Sequence, residues 1–224
     1  MNKTINIQTW DEARDWVDRN LMIHPSYMSE AVQEKYPRNA FSLGQLASKA
    51  WLINKVIATD DRRHKRPVVA LLGCWIGAIV PFLHRSLVLE RIYGFDMDPE
   101  AISQSEMFNR RHVEDSWKFK GVVADVSMMN TYLMEFQTGG ELIQVKPDWL
   151  INTSCEHMDT HWFDTADSDQ LIVMQTNNYH DWHEHINTLD SVQEMQQKYK
   201  LSKTLYAGSL ELPVYTRFMQ IGYK

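Results

Sequence analysis

Glu156 and His157 stand side by side in the segment INTSCEHM, residues 151–158. A carboxylate beside an imidazole can move a proton, because histidine titrates near neutrality and a positioned base takes a proton as a bond forms. The same two residues could instead cap a helix beginning near Met158, which would be a purely structural use. Further along, NNYHDWHEH gathers Tyr179, His180, His183 and His185 with Asp181 and Glu184. That composition suits a polar loop facing a substrate, or a plain solvated loop. Histidine and carboxylate ligands also suit zinc or iron. The spacing matches no firm metal pattern, so no metal is assigned.

These residues need a scaffold, and the middle of the chain supplies one in alternating strand and helix. VVALLG is a short apolar run of the kind buried on both faces of a parallel sheet. A helix of about ten residues is expected from Ile76. RIYGFD is a second strand, and Asp98 followed by Pro99 opens a helix to about Arg110. FKGVVAD, PDWLINT and QLIVMQT are three more strands, and 187–200 read as a further helix. TLYAGSLEL and TRFMQIGY close the chain with only Pro213, Val214 and Tyr215 between them. A connection that short joins antiparallel strands. The fold class is therefore α/β: a doubly wound, mainly parallel seven-stranded sheet with a C-terminal antiparallel hairpin.

A helical N-terminal extension precedes it. Thr9 and Glu12 have capping-box spacing, and Trp10, Ala13, Trp16, Val17 and Leu21 follow at helical intervals. A second short helix is expected from Tyr27 to Tyr36, and a third after Ser42 through Ile57. The division expected is a helical cover over 1–66 and one compact unit over 67–224.

In such a sheet, ligands bind beyond the carboxyl ends of the strands. Those ends carry Gly73-Cys74-Trp75-Ile76-Gly77, Asp96-Met97-Asp98, Asp125-Val126, Asn152-Thr153-Ser154 and Gln175-Thr176-Asn177. Small and polar residues gather at all five. From Pro67 onward the chain resembles the class I S-adenosylmethionine-dependent methyltransferases, whose fold is Rossmann-like. The resemblance implies that Gly73, Trp75 and Gly77 form the turn under the methionine and ribose. YGFDMDPEAI resembles that family's second motif, which implies that Asp96 holds the ribose hydroxyls with Met97 beside it. Asp96 lies 23 residues after Gly73, near the spacing of about 20 residues for a ribose-binding acid. ADV resembles the third motif, which implies that Asp125, with Val126, meets the adenine. Asn152, Thr153 and Ser154 sit where the fourth motif meets both methionine and acceptor. Leu71 stands where the family usually has an acidic residue, and Trp75 replaces the middle glycine. NTSC lacks the prolines common in enzymes acting on exocyclic base nitrogens.

The net charge of −6, from 23 basic and 29 acidic residues, repels phosphate backbones unless basic residues cluster. RRHKR at 62–66 is the one dense basic run, and it reads as a loop. Nucleic acid is therefore disfavoured as a partner, and a small-molecule acceptor is expected; association with a second copy is left open. Cys74 and Cys155 cannot form a disulfide framework or a four-cysteine zinc site, which suits a cytoplasmic setting. The run from Pro67 to Leu83 is short of the roughly 20 residues a membrane span needs, so no membrane association is expected. The resemblance implies an enzyme of the methyltransferase class using S-adenosyl-L-methionine. Catalysis is expected from Glu156 and His157, with Tyr179, His180, His183 and His185 facing the substrate. Aminocarboxypropyl transfer from the same cofactor, or a degenerate fold used as a scaffold, are the alternatives.

Overall fold

The structure, a computed structural model, describes residues 6–20, 36–59 and 63–224. The helix expected from Tyr27 to Tyr36 lies outside these residues apart from Tyr36 itself, as does Leu21. Helix α1 (Trp10–Asn20) begins with the reciprocal capping box. The Thr9 amide donates to Glu12 Oε2 at 3.0 Å, and the Glu12 amide donates to Thr9 Oγ1 at 3.3 Å. Helix α2 (Leu43–Thr59) is buried from Leu46 to Val56 without interruption. A helix buried on every side must satisfy its polar groups internally. Asn54 accepts from the Ile7 amide, Ser48 donates to Gln175, and Lys55 donates to Asn6.

Strands β1 (Val68–Leu72), β2 (Arg91–Asp96) and β3 (Phe119–Val123) pair in parallel. Helix α3 is Val80–Ser86, shorter and later than expected. The residues from Gly73 to Gly77 form an open turn instead of a first helical turn, with positive φ at three of the five. Helix α4 (Pro99–Phe108) starts on Asp98, whose side chain accepts from the Glu100 amide at 2.8 Å. A break at Asn109 separates it from α5 (Arg110–Glu114).

A hairpin that the strand reading did not anticipate follows: β4 (Met134–Thr138) and β5 (Glu141–Val145), a separate two-stranded sheet. Gly139 and Gly140 turn it with φ of 60° and 85°, as a two-residue loop requires. Then come β6 (Trp149–Asn152), α6 (His161–Asp164), β7 (Leu171–Asn177), α7 (Val192–Lys198), β8 (Lys203–Glu211) and β9 (Thr216–Tyr223). The main sheet runs β3-β2-β1-β6-β7-β9-β8, with the last two strands antiparallel.

Alternate strand residues feed two cores, one on each face. Val69, Leu71, Ile151, Val173 and Ile221 meet α1, α2 and α3. Ala70, Leu72, Leu150, Ile172 and Met174 meet the β4–β5 hairpin, α6 and α7. Trp16 stacks on Phe82 at 6.4 Å, so α1 and α3 pack within the same core as the sheet. No helix among the described residues is long and apolar enough to cross a membrane.

Candidate functional site

The winding reverses between β1 and β6, and the loops beyond their carboxyl ends meet there. Gly73 (φ 60°) leaves β1 in the left-handed region. A Cβ on it would lie 3.0 Å from Met158 Cε and 3.2 Å from Ser154 Cβ, so only glycine allows the β6 loop this close. Gly77 (φ 63°) faces Asn109, whose side-chain amide donates to the Gly77 carbonyl. Trp75 adopts φ 47°, a conformation that costs a residue with a Cβ on the order of 1 kcal/mol. Asp96 secures it: Oδ2 accepts from the Trp75 amide at 2.8 Å, while Oδ1 accepts from the Asp98 amide. The Trp75 side chain packs on the cluster of Tyr36, Phe41, Ile76 and Ala78, which holds residues 36–41 against the turn.

Asp125 sits one strand further out and caps a short helical turn, accepting from the Ser127 amide and hydroxyl through Oδ1. Its Oδ2 is left over. Met97 is exposed and Val126 buried. Asn152 is buried and holds the next loop, accepting from the Ser154 amide at 2.9 Å. The Ser154 hydroxyl in turn reaches the Gly73 carbonyl, while the Thr153 carbonyl accepts from Arg217.

Glu156 and His157 belong to a single helical turn, Cys155–His157, and the helix expected near Met158 begins at His161. Their side chains part company. Glu156 is 3% exposed and its Oε1 accepts from Arg217 Nη1 at 2.9 Å and from the Asn177 side-chain amide. Its Oε2 is buried and has no hydrogen-bond partner among the described residues. His157 is exposed, and its ring meets that of His185 at 4.6 Å. Desolvation of the ring lowers its pKa, which favours the neutral form.

Of the four residues expected to face substrate, Tyr179 and His185 join this cluster. The Tyr179 ring lies 6.0 Å from His185 and 6.1 Å from Tyr215, over which the Arg217 guanidinium sits at 5.3 Å. His180 turns to Asp190 and Thr188 instead. His183 is 82% exposed at its side chain. The loop itself is tied down, because the Ile186 and Asn187 amides both donate to the Glu156 carbonyl. A cleft of about 590 Å³ lies beside it, lined by residues 178–181 and 211–216.

Sequence reasoning passed over Arg217 and Lys49. Arg217 is the lone charge in the buried part of β9, and a charge in an apolar strand is itself a signal of a paired site. Lys49, on α2, is buried; desolvation and then the nearby Arg217 lower its pKa to about 7, against the pull of Glu156. The two cysteines contribute no thiolate: burial raises both pKa values well above normal.

No known family profile matches the sequence, and no curated protein does either. Solved structures do. The magnesium protoporphyrin IX methyltransferase of Synechocystis PCC 6803, in its structure with bound SAH, is similar with a TM-score of 0.57 and 14% identity. That match covers 94% of this chain and 97% of the other. The same enzyme with bound SAM gives 0.55 at 12% identity, over 96% and 98%. The N-methyltransferase NodS of Bradyrhizobium japonicum WM9 gives 0.55 at 11% identity, over 83% and 99%. A candidate RNA methyltransferase of Pyrococcus horikoshii gives 0.51 at 14% identity, over 80% and 84%. With the strand order and the turn at the switch point, these likenesses give the conclusion: the chain has the fold of the class I S-adenosylmethionine-dependent methyltransferases.

Proposed function

We propose that this protein transfers the methyl group of S-adenosylmethionine to a small-molecule acceptor. One observation carries the reading: the Gly73–Gly77 turn, Asp96, Asp125 and the Asn152 loop all lie along the carboxyl edge of four adjacent parallel strands, β3-β2-β1-β6, with the glycine turn and the Asn152 loop at the switch point. The residues fit the cofactor. Each carboxylate offers about four lone-pair positions; Asp96 uses two on backbone amides and Asp125 keeps Oδ2, so both can accept from ribose hydroxyls and an adenine amino group. Gly73, Trp75 and Gly77 would frame the methionine and ribose, with Met97 and Val126 flanking the ribose and base. Asn152, Thr153 and Ser154 would bridge to the acceptor. The bound cofactor supplies a sulfonium methyl group, and the chain supplies alignment and exclusion of water.

At the acceptor end, Glu156 Oε1 is held by Arg217 and Asn177, so Oε2 and the neutral ring of His157 are the groups able to take up an acceptor proton. Tyr179, His180 and Tyr215 line the adjoining cleft, whose volume suits a small molecule. His183 and His185 complete the polar loop beside it. The basic residues near 62–66 argue against nucleic acid. His64 pairs with Asp148, Arg66 pairs with Glu90, and Arg63 covers Tyr223. All sit at the amino-terminal edge of the strands, opposite the site.

The altered turn, with Trp75 in the left-handed region, favours keeping aminocarboxypropyl transfer as a second reading. Mass spectrometry of the sulfur by-product separates the two. S-adenosylhomocysteine is the expected product; methylthioadenosine would select the second reading, and neither product with any acceptor would support a scaffold.

A further inference from the structure

We infer that Glu156, His157 and His185 bind a divalent transition-metal ion at the acceptor end of the site. One carboxylate oxygen of Glu156 and one ring nitrogen of each histidine lie within 4.8 Å of one another, a spread that small side-chain rotations can close onto one ion. The buried, unpartnered Oε2 of Glu156 is the second, independent observation. An oxygen shut away from water, with no donor among the described residues, costs free energy unless a cation or donor meets it.

The surroundings of His185 match those of a metal ligand. His185 Nδ1 faces the Tyr179 carbonyl at 2.5 Å, which leaves Nε2 as the nitrogen it can offer. The ring of His157 stands edge-on to that of His185, with centroids 4.6 Å apart, so the two imidazoles face one another. Backbone carbonyls on the outer nitrogens fix the tautomer and orientation of ligating imidazoles. Glu156 is oriented on its other oxygen by Arg217 and Asn177. The main-chain bonds from Ile186 and Asn187 to Glu156 hold the His185 loop against the Cys155–His157 turn.

Two imidazoles and one carboxylate select zinc, cobalt, nickel or ferrous iron over magnesium or calcium, which prefer all-oxygen sites. Three protein ligands leave coordination positions open, as at catalytic metal centres. An acceptor oxygen or nitrogen bound there would lose its proton more easily, to solvent water at the exposed His157 side. With the metal bound, Glu156 and His157 would act as ligands in place of the proton-accepting role they have without it. That role rests on reading the pocket as the acceptor site; metal binding itself does not.

The test is titration of metal-stripped full-length protein with Co²⁺, followed by its visible ligand-field bands, with Zn²⁺ and Mg²⁺ as competitors. One saturable Co²⁺ per chain is expected, displaced by Zn²⁺ and not by Mg²⁺. His157→Gln and His185→Gln should each weaken it by roughly a hundredfold, while His161→Gln, on the exposed surface nearby, should not. Absorption fine structure of the wild-type zinc complex should report two imidazoles and no sulfur, which keeps the test decisive if a variant misfolds. Absence of saturable binding, equal competition by Mg²⁺, or unchanged affinity in both histidine variants would overturn the inference. None of these outcomes bears on cofactor binding, which is measured separately.

Discussion

At Glu156 the local balance of forces is set by Arg217. Both side chains are buried at 4% exposure, so each charge depends on the other for its solvation. Burial lowers the Arg217 pKa, but Glu156 and then Tyr215 outweigh it and the net direction is up. Removing one member of a buried pair typically costs about 3–5 kcal/mol, because the survivor is left uncompensated, while an apolar replacement of both is far milder. Arg217→Met should therefore destabilise by about 3 kcal/mol in denaturant unfolding, and Glu156→Leu with Arg217→Met should recover most of that loss. Equal losses in the single and double variants would show that the pair is not coupled. The sequence makes Glu156 and His157 visible because they are polar and adjacent. It hides their different fates, since those depend on Arg217 and Asn177, which arrive from distant strands. The histidines of the 177–185 loop were legible as a group; which of them turn inward is decided by Asp190 and Tyr179, and no spacing rule encodes that.

Among the elements, the turn between β1 and α3 carries the most constraint. Gly73→Ala would place a Cβ at 3.0 Å from Met158 in a left-handed conformation, so both sterics and backbone oppose it. A loss of about 1–3 kcal/mol is expected, together with weakened cofactor binding. A thermal melt indistinguishable from wild type would mean that the turn can relax and is not the fixed platform described above. The turn's shape also explains why α3 is shorter than the apolar run suggested. Ile76, Ala78 and Ile79 are apolar because they pack, not because they are helical. The β4–β5 hairpin had a readable signal in Thr138-Gly139-Gly140-Glu141 between alternating runs. β4 alternates buried and exposed residues, β5 lies mostly at the surface, and the pair makes a sheet of its own, so neither strand is a continuous apolar run. The parallel strands, by contrast, were legible almost to the residue because burial on both faces makes them continuous apolar runs.

Across the whole molecule, the two edges of the sheet are chemically distinct. The carboxyl edge holds Asp96, Asp125 and Glu156. The amino edge holds a cleft lined by His84, Arg85, Arg111, His112 and Asp115, where His84 bonds the Lys118 carbonyl just before β3. Burial, and then the His112 ring stacked on it at 4.5 Å, lower the His84 pKa to about 4. Between the ordinary histidine value near 6.5 and about 4, the unfolded chain therefore binds more protons than the folded one. Stability is full above that window and falls as pH drops through it, by on the order of 1–2 kcal/mol for a partly exposed ring. His84→Gln should flatten this slope, leaving the contributions of His112 and His157, whose pKa values are lowered in the same direction. A slope unchanged by the substitution would assign it elsewhere.

The claim on which the functional account turns is that the carboxyl edge holds S-adenosylmethionine, and calorimetric titration of the full chain with that compound tests it most directly. Binding in the micromolar range is predicted, with Asp96→Ala lowering affinity at least tenfold as ribose contacts and the anchor of Trp75 are lost together. No detectable binding by the wild-type protein, or binding that Asp96→Ala leaves unchanged, would contradict it.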